Sequence, residues 1–164
     1  MKGRLSMNIS LEKARIEDFH AVNFIVKEGH KEHANTHPHI FKKVDEVMSA
    51  NYFSELLSDP DCEIFVARLN NHDVVGFAVM ELQYSPLFES LIPRKYAYMN
   101  DFGVKETYQR NGIGDLLFQA CMNWSREKGA KELELTVWEF NEKAISFYEK
   151  NEMRTISRKM SLKL

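Results

Sequence analysis

The sequence predicts a mixed α/β domain with a mostly antiparallel central sheet and helices on both faces. Three observations lead there. Alternating and helical-period segments follow one another in the order β α α β β β α β α β. Residues 63–69 (EIFVARL) and 74–82 (VVGFAVMEL) flank Asn70-Asn71-His72-Asp73, a hairpin signal. From residue 96 onward a strand, a helix and a strand succeed one another, the pattern of a right-handed parallel crossover.

Each element has its own warrant. Residues 9–15 read as a short strand. Over 17–33, Phe19, Val22 and Val26 recur at helical spacing, and Thr36-His37-Pro38 breaks the run. Residues 44–57 give a second helix, with Val44, Val47, Met48, Phe53, Leu56 and Leu57 apolar. After the hairpin, a loop with Pro86 and Pro93 leads to a strand at 96–104 (YAYMNDFGV). The next helix covers about 112–128. Leu116, Leu117, Ala120, Cys121 and Trp124 form its stripe, and Gly129 suits a left-handed cap. Residues 131–138 (KELELTVW) alternate as a strand. Asn141 is an N-cap for a helix over 142–150. The tail, 154–164, is strand-like. The parallel pair is expected to be 96–104 with 131–138.

Composition bounds the function. A chain of 164 residues is one domain, expected to span 1–164 with residues 1–8 as a disordered lead and Met7 as an alternative start. Its 44% hydrophobic and 28% charged residues can build a core, which excludes a disordered chain. The formal charge of −2, with Lys and Arg dispersed, argues against a nucleic-acid footprint or a polybasic membrane anchor. No apolar run reaches the roughly 18 residues of a spanning helix, so a cytoplasmic location is expected. Cys62 and Cys121 are the only cysteines; Cys121, on the apolar helix face, is expected buried and reduced.

The most informative stretch is Gln109-Arg110-Asn111-Gly112-Ile113-Gly114, at the mouth of the 112–128 helix. The first amides of a helix lack internal partners and carry partial positive charge, so a phosphate fits there. Glycine lets the backbone approach an anion. The plainer reading is a tight strand-to-helix turn. The stretch is not a dinucleotide fingerprint, because the third glycine position is Leu117, and no Gly-Lys-Ser/Thr of a phosphate-binding P-loop follows.

Together with Asn141, Ala144, Phe147 and Tyr148 in "NEKAISFYEKNEM", this stretch resembles the GNAT superfamily of acyl-CoA-dependent N-acetyltransferases. The hexapeptide fits that superfamily's Gln/Arg-x-x-Gly-x-Gly/Ala motif at every specified position. The likeness is specific over about residues 96–153. One departure is Asn151-Glu152-Met153 where the family carries a final Gly-Phe; Asn is the next best residue for a left-handed cap. The resemblance implies a GNAT-like fold and acetyl-CoA as cosubstrate. It implies that backbone amides of Gln109, Arg110, Asn111, Gly112, Ile113 and Gly114 hold the pyrophosphate. Val104 would offer backbone hydrogen bonds to the pantetheine arm, and Asn141 would contact that arm too. In the family the strands corresponding to 96–104 and 131–138 splay apart around the thioester. Homodimers are common among its members.

Acetyl transfer to an amine needs a neutral nitrogen, a polarised thioester and a proton for the thiolate. The resemblance assigns that proton to Tyr148, which otherwise reads as a core aromatic beside Ala144 and Ile145. A phenol near pKa ~10 protonating a thiolate near ~8.5 runs uphill by roughly 2 kcal/mol. Tyr148 therefore acts either as a hydrogen-bond donor or with a lowered pKa. Alternation places Tyr98, Asn100 and Phe102 on one face of 96–104 and Met99, Asp101 and Gly103 on the other. Asp101 is the nearest carboxylate for a base; Glu139, beyond the next strand, is the alternative, and either can act through water. The acceptor expected is a primary amine of a small molecule or peptide, attacked directly in a ternary complex, since no activated Cys or Ser is present.

His30, His33, His37 and His39 lie within ten positions. Only His30 and His33 share a helical face, no cysteine is near, and no metal is assigned to them. They, with Phe41, line an acceptor pocket or form a solvated helix end. Tyr84, Phe88 and Trp138 line that pocket or belong to the core. Two other functions compete with the enzyme: a coenzyme A-binding module without turnover, and a metal-binding protein built on the histidines.

Overall fold

The computed structural model describes residues 7–164; the expected lead falls mostly on residues 1–6, outside the described residues. A single five-stranded sheet runs in sequence order, β1 Ile9–Lys13, β2 Cys62–Leu69, β3 Asp73–Tyr84, β4 Lys95–Val104 and β5 Leu133–Leu135. The first four strands pair antiparallel, and β4 pairs β5 parallel. The helices α1 Phe19–Thr36 and α2 Ala50–Ser58 cover one face. The helices α3 Ile113–Glu127 and α4 Glu142–Lys150 cover the other. The expected mixed sheet, its parallel pair and its two helical layers are all present.

Local rules explain most boundaries. Asn70 and Asn71 take positive φ of 52° and 61°, the left-handed pair that a tight two-residue hairpin requires. Ser49 Oγ accepts from the Tyr52 amide at 3.1 Å and starts α2. The expected start at residue 44 is therefore too early. Residues 44–48 instead tie to α1: Lys27 pairs with Asp45 at 3.1 Å, and the Met48 amide donates to Asn23 Oδ1 at 3.1 Å. Gly129, at φ 77°, ends α3 as expected. At the end of α4 the left-handed residue is Glu152, φ 67°, rather than Asn151. Asn151 stays at φ −89° and uses its Nδ2 to cap the Phe147 carbonyl at 2.9 Å.

Two sequence expectations fail more broadly. Residues 154–164 form no strand, and Ile156, Met160, Leu162 and Leu164 are exposed. An alternating pattern makes a strand only where a partner strand is presented, and β5 pairs with β4 over just three residues. The stripe of α3 is also rotated: Phe118 is buried, whereas Leu116 is 46% exposed.

Close contact between β3 and α3 sets the position of the helix mouth. A Cβ on Gly76 would stand 2.8 Å from Leu117 Cδ1 and 3.3 Å from both Ile113 Cγ2 and the Gly103 carbonyl. The bare backbone at Gly76 thus lets the first turns of α3 sit down on the sheet. The Gly76→Ala variant is expected to lose about 1–3 kcal/mol in urea unfolding, the usual cost of overpacking; an unchanged midpoint would contradict this seating.

Candidate active site

The site begins where β4 and β5 part. Their parallel register covers only Ala97↔Leu133, Tyr98↔Glu134 and Met99↔Leu135, while β4 continues to Val104. Tyr98 Oη and Thr136 Oγ1, 2.7 Å apart, close the start of the gap. Beyond it, the β5 side of Asn100 to Val104 has no strand partner among the described residues.

A bulge re-aims β4 at this point. Val79 pairs with Asp101 but Met80 pairs with Met99, leaving Asn100 as the extra residue. The alternation predicted for this strand therefore breaks. Met99, Phe102 and Val104 join the core under α3, whereas Asp101 and Gly103 turn to the face covered by α1 and α2. Simple period-2 reasoning put Met99 with Asp101; the extra residue separates them and brings Asp101 onto the face of Tyr98.

Asp101 is recessed. Its Oδ1 accepts from the Phe102 amide at 2.9 Å. Burial raises its carboxyl to about 6, against the smaller opposing effects of that hydrogen bond and of His33. Tyr148, on α4, lies among Phe102, Phe118 and Phe147, with ring centroids 6.3, 6.4 and 5.5 Å away. Its hydroxyl has no protein hydrogen-bond partner among the described residues. Burial, with the charges of Asp101 and Cys121, pushes its pKa up. Of the two roles the sequence leaves open to it, burial works against the lowered pKa and favours the hydrogen-bond donor.

The two glycines at the mouth of α3 do different work. Gly112 is the N-cap, at φ 79° and ψ 2°, and no side chain caps the helix. A Cβ there would meet nothing within 4 Å, so the backbone faces open space. Gly114 instead accommodates α4, since its Cβ would lie 3.2 Å from Phe147 Cε2. Arg110 also has positive φ, 63°. Around the mouth, Asn111 Nδ2 donates to the Tyr108 and Gln109 carbonyls at 3.0 and 3.1 Å. Lys143 Nζ donates to Gln109 Oε1, which places a cation beside the uncapped turn. An uncapped helix start with open backbone and flanking Arg110 and Lys143 fits the diphosphate of coenzyme A.

Val104 and Asn141 are already partly engaged. The Val104 carbonyl accepts from Gln109 Nε2 at 3.0 Å. Asn141 Oδ1 accepts from the Ala144 amide at 3.2 Å as the N-cap of α4, which leaves its Nδ2 for another acceptor. Glu139 pairs only at 4.0 Å with Arg158, and both side chains are largely exposed.

The histidines meet aromatic rings. His33 lies 5.3 Å from Phe41 and 5.2 Å from Phe140 between ring centroids; His37 lies 5.4 Å from Trp138. His30 packs edge-on to Phe41, and His37 stacks on His39. His33 Nδ1 stands 2.9 Å from the Gly29 carbonyl, so it is the protonated nitrogen. This cluster joins the end of α1 to the β5–α4 connection. Sequence reasoning singled out Trp138 but not Phe140, which carried no periodic signal. Tyr84, the last residue of β3, and Phe88, on the β3–β4 connection, are exposed and belong to neither core cluster. Among the described residues no group of three or more His, Cys, Asp or Glu side chains could hold a metal. No described helix is long and apolar enough to cross a membrane.

The profile of the Acetyltransferase (GNAT) family matches residues 16–153, and the chain belongs to that family of acetyltransferases. Among its relatives is the L-ornithine N5-acetyltransferase NATA1 of Arabidopsis thaliana. It is 33% identical over 94 residues, which make up 57% of this chain and 40% of that protein. The chain thus spans well under half of that relative. The BH1408 protein of Bacillus halodurans, solved as a mutant, superposes with a TM-score of 0.92 at 25% identity, over 94% of this chain and 99% of that one. An aminoglycoside acetyltransferase, meta-AAC0020, from an uncultured soil metagenomic sample, was solved with sisomicin. It shares the fold at TM-score 0.70 and 20% identity, over 94% and 97% of the two chains.

The Asp101 carboxyl has a stability consequence. Its folded pKa near 6 lies above the ordinary value. Between those values the folded chain holds the proton more tightly than the unfolded chain, so stability falls as pH rises through this window. Asp101→Asn removes the buried charge. Its unfolding free energy should exceed that of the wild type at about pH 8 by an amount on the order of 2 kcal/mol, and the difference should vanish near pH 4. A variant less stable than wild type at both pH values would show that Asp101 is not a buried cost.

Proposed function

We propose that this protein transfers the acetyl group of acetyl-CoA to a primary amine of a small molecule or peptide, by direct attack in a ternary complex. One observation carries the reading: a recessed carboxyl, Asp101, and a protonated phenol, Tyr148, flank the gap where β4 and β5 part, with the open turn at Gly112 on the same β4–α3 side. The family supplies the acyl donor, and the relatives' names include an ornithine and an aminoglycoside acetyltransferase, both enzymes acting on amines.

Acetyl-CoA supplies the acetyl group as a thioester. The amides of residues 109–114 hold its pyrophosphate, with Gly112 giving the closest backbone approach. Asn141 Nδ2 and the Val104 backbone meet the pantetheine arm. Asp101, ionised above its pKa of about 6, takes the proton from the incoming ammonium, directly or through water. Delivering a free lysine-like amine at neutral pH costs about 4.6 kcal/mol, an α-amine about 1 kcal/mol, so the demand on Asp101 depends on the acceptor. The amine nitrogen bonds to the carbonyl carbon, the carbon–sulfur bond breaks, the sulfur leaves with its electron pair, and the proton shed by the acylated nitrogen passes through water to that sulfur. Tyr148 donates a hydrogen bond to that sulfur; its raised pKa keeps the donor hydrogen in place.

An acetylation assay across a panel of amines tests this. Tyr148→Phe is expected to retain acetyl-CoA binding but lose roughly ten- to a hundredfold in kcat, the scale of one hydrogen bond to a developing charge. Unchanged turnover would remove Tyr148 from the chemistry. A wild type that binds acetyl-CoA but acetylates no amine would favour a binding module.

A further inference from the structure

The bulge in β4 has placed a second carboxylate beside the first. Glu81 follows Val79 by two residues on β3, so both side chains leave the same face. Val79 is the cross-strand partner of Asp101, and Glu81 is the partner of Tyr98. Glu81 and Asp101 are therefore diagonal neighbours on the α1–α2 face, roughly 7–8 Å apart at the backbone. Had Asn100 not been extruded, Asp101 would point into the opposite core.

Neither carboxylate has a lysine or arginine partner; the opposing charge felt by Asp101 is that of His33. Among the described residues no Lys or Arg forms an ion pair with Glu81 or Asp101, although Glu12, Asp18, Glu63, Glu132 and Glu134 all have one. Glu81 Oε2 accepts from Asn100 Nδ2 at 2.8 Å, the amide of the bulge residue itself. Gln83 Nε2 approaches the same oxygen at 3.5 Å. Oε1 has no protein donor among the described residues. The surroundings register an uncompensated negative field. After burial, the charge of Glu81 does most to raise the Tyr52 phenol, with Cys62 and Asp101 following, and Tyr148 is raised in part by Asp101. Asp101 is recessed and Glu81 half-buried on one face, neither with a Lys or Arg partner, an arrangement that suits a cation arriving with the ligand.

We infer that Glu81 is a specificity-determining residue that receives a second ammonium group of the acceptor, so that the preferred substrate is a diamine or a larger polycation. The inference rests on the acetyl-transfer reading, in which Asp101 attends the reacting nitrogen. One end of the acceptor lies at Asp101 in the gap. The other lies at Glu81 Oε1, on the α1–α2 face of the sheet. An extended chain advances roughly 1.2 Å per bond, so the diagonal spacing suits about three to five carbons between the nitrogens, given the reach of the glutamate.

The test compares kcat/KM of purified wild type and Glu81→Gln for a series of α,ω-diamines and for the monoamines of the same carbon number. Wild type should prefer the diamine. Glu81→Gln should lower the diamine-to-monoamine ratio by about tenfold or more, the worth of one charge-assisted hydrogen bond, mainly through KM. Glu89→Gln, on the exposed β3–β4 connection, serves as control and should keep the wild-type ratio. A ratio unmoved by Glu81→Gln would overturn the inference and leave the acetyltransferase reading standing. A wild type that acetylates neither amine class would overturn both. A Glu81→Gln protein that unfolds is replaced by Glu81→Asp, which keeps the charge but withdraws it and should shift the preferred diamine to longer chains; an unchanged length optimum would again overturn the inference.

Discussion

The site depends on a single event in the sheet, the early parting of β4 and β5. Three residue pairs hold the two strands together, and then β5 ends while β4 runs on to Val104. A strand edge inside a domain is normally covered, because unpaired backbone groups there are costly. Here the edge opens between α3 and α4 on one face and the end of α1 on the other. The bulge at Asn100 falls at the same place. It turns Asp101 away from the apolar core and toward the gap. Strand separation makes the space, and the extra residue supplies it with a titratable group.

The chemistry follows from how little water reaches those groups. Asp101 is driven toward neutral pH by burial, and Tyr148 is driven the other way from a phenolate. In the proposed mechanism the two environments sort the roles: the carboxyl accepts a proton, and the phenol keeps one. Glu81 stands next to this pair with its charge unmet. In the proposed reading a cationic acceptor brings the counter-charge that Asp101 and Glu81 lack, which ties substrate choice to the face that holds the base.

Much of this was legible in the sequence where local rules dominate. The Asn70-Asn71 turn, the Gly129 cap, the Asn141 cap and the open turn at Gly112 each follow from backbone preferences of a few residues. The order of elements and the family likeness fixed the layers. What failed depended on partners distant in the chain. The 154–164 segment alternates as a strand but is given no strand to pair with. That the missing Cβ of Gly114 also makes room for Phe147, thirty-three positions later, could not be read from the loop itself. The facing of Asp101 was misread because a bulge leaves no signature in period-2 alternation. Glu81 was passed over entirely, since an acidic residue near a strand end looks like surface until cross-strand register shows its neighbour.

The central claim is that the open turn at Gly112 and the gap beside β4 bind acetyl-CoA. Calorimetric titration of the wild type and of Gly112→Asp with acetyl-CoA tests it most directly. Asp tolerates a left-handed backbone better than most residues, and a Cβ at this position meets nothing within 4 Å, so the variant should fold. The account predicts saturable one-to-one binding by the wild type and its loss in the variant, where a carboxylate would face the pyrophosphate. A folded wild type that binds no acetyl-CoA, or a variant that binds it equally well, would contradict the account and reduce Gly112 to a turn.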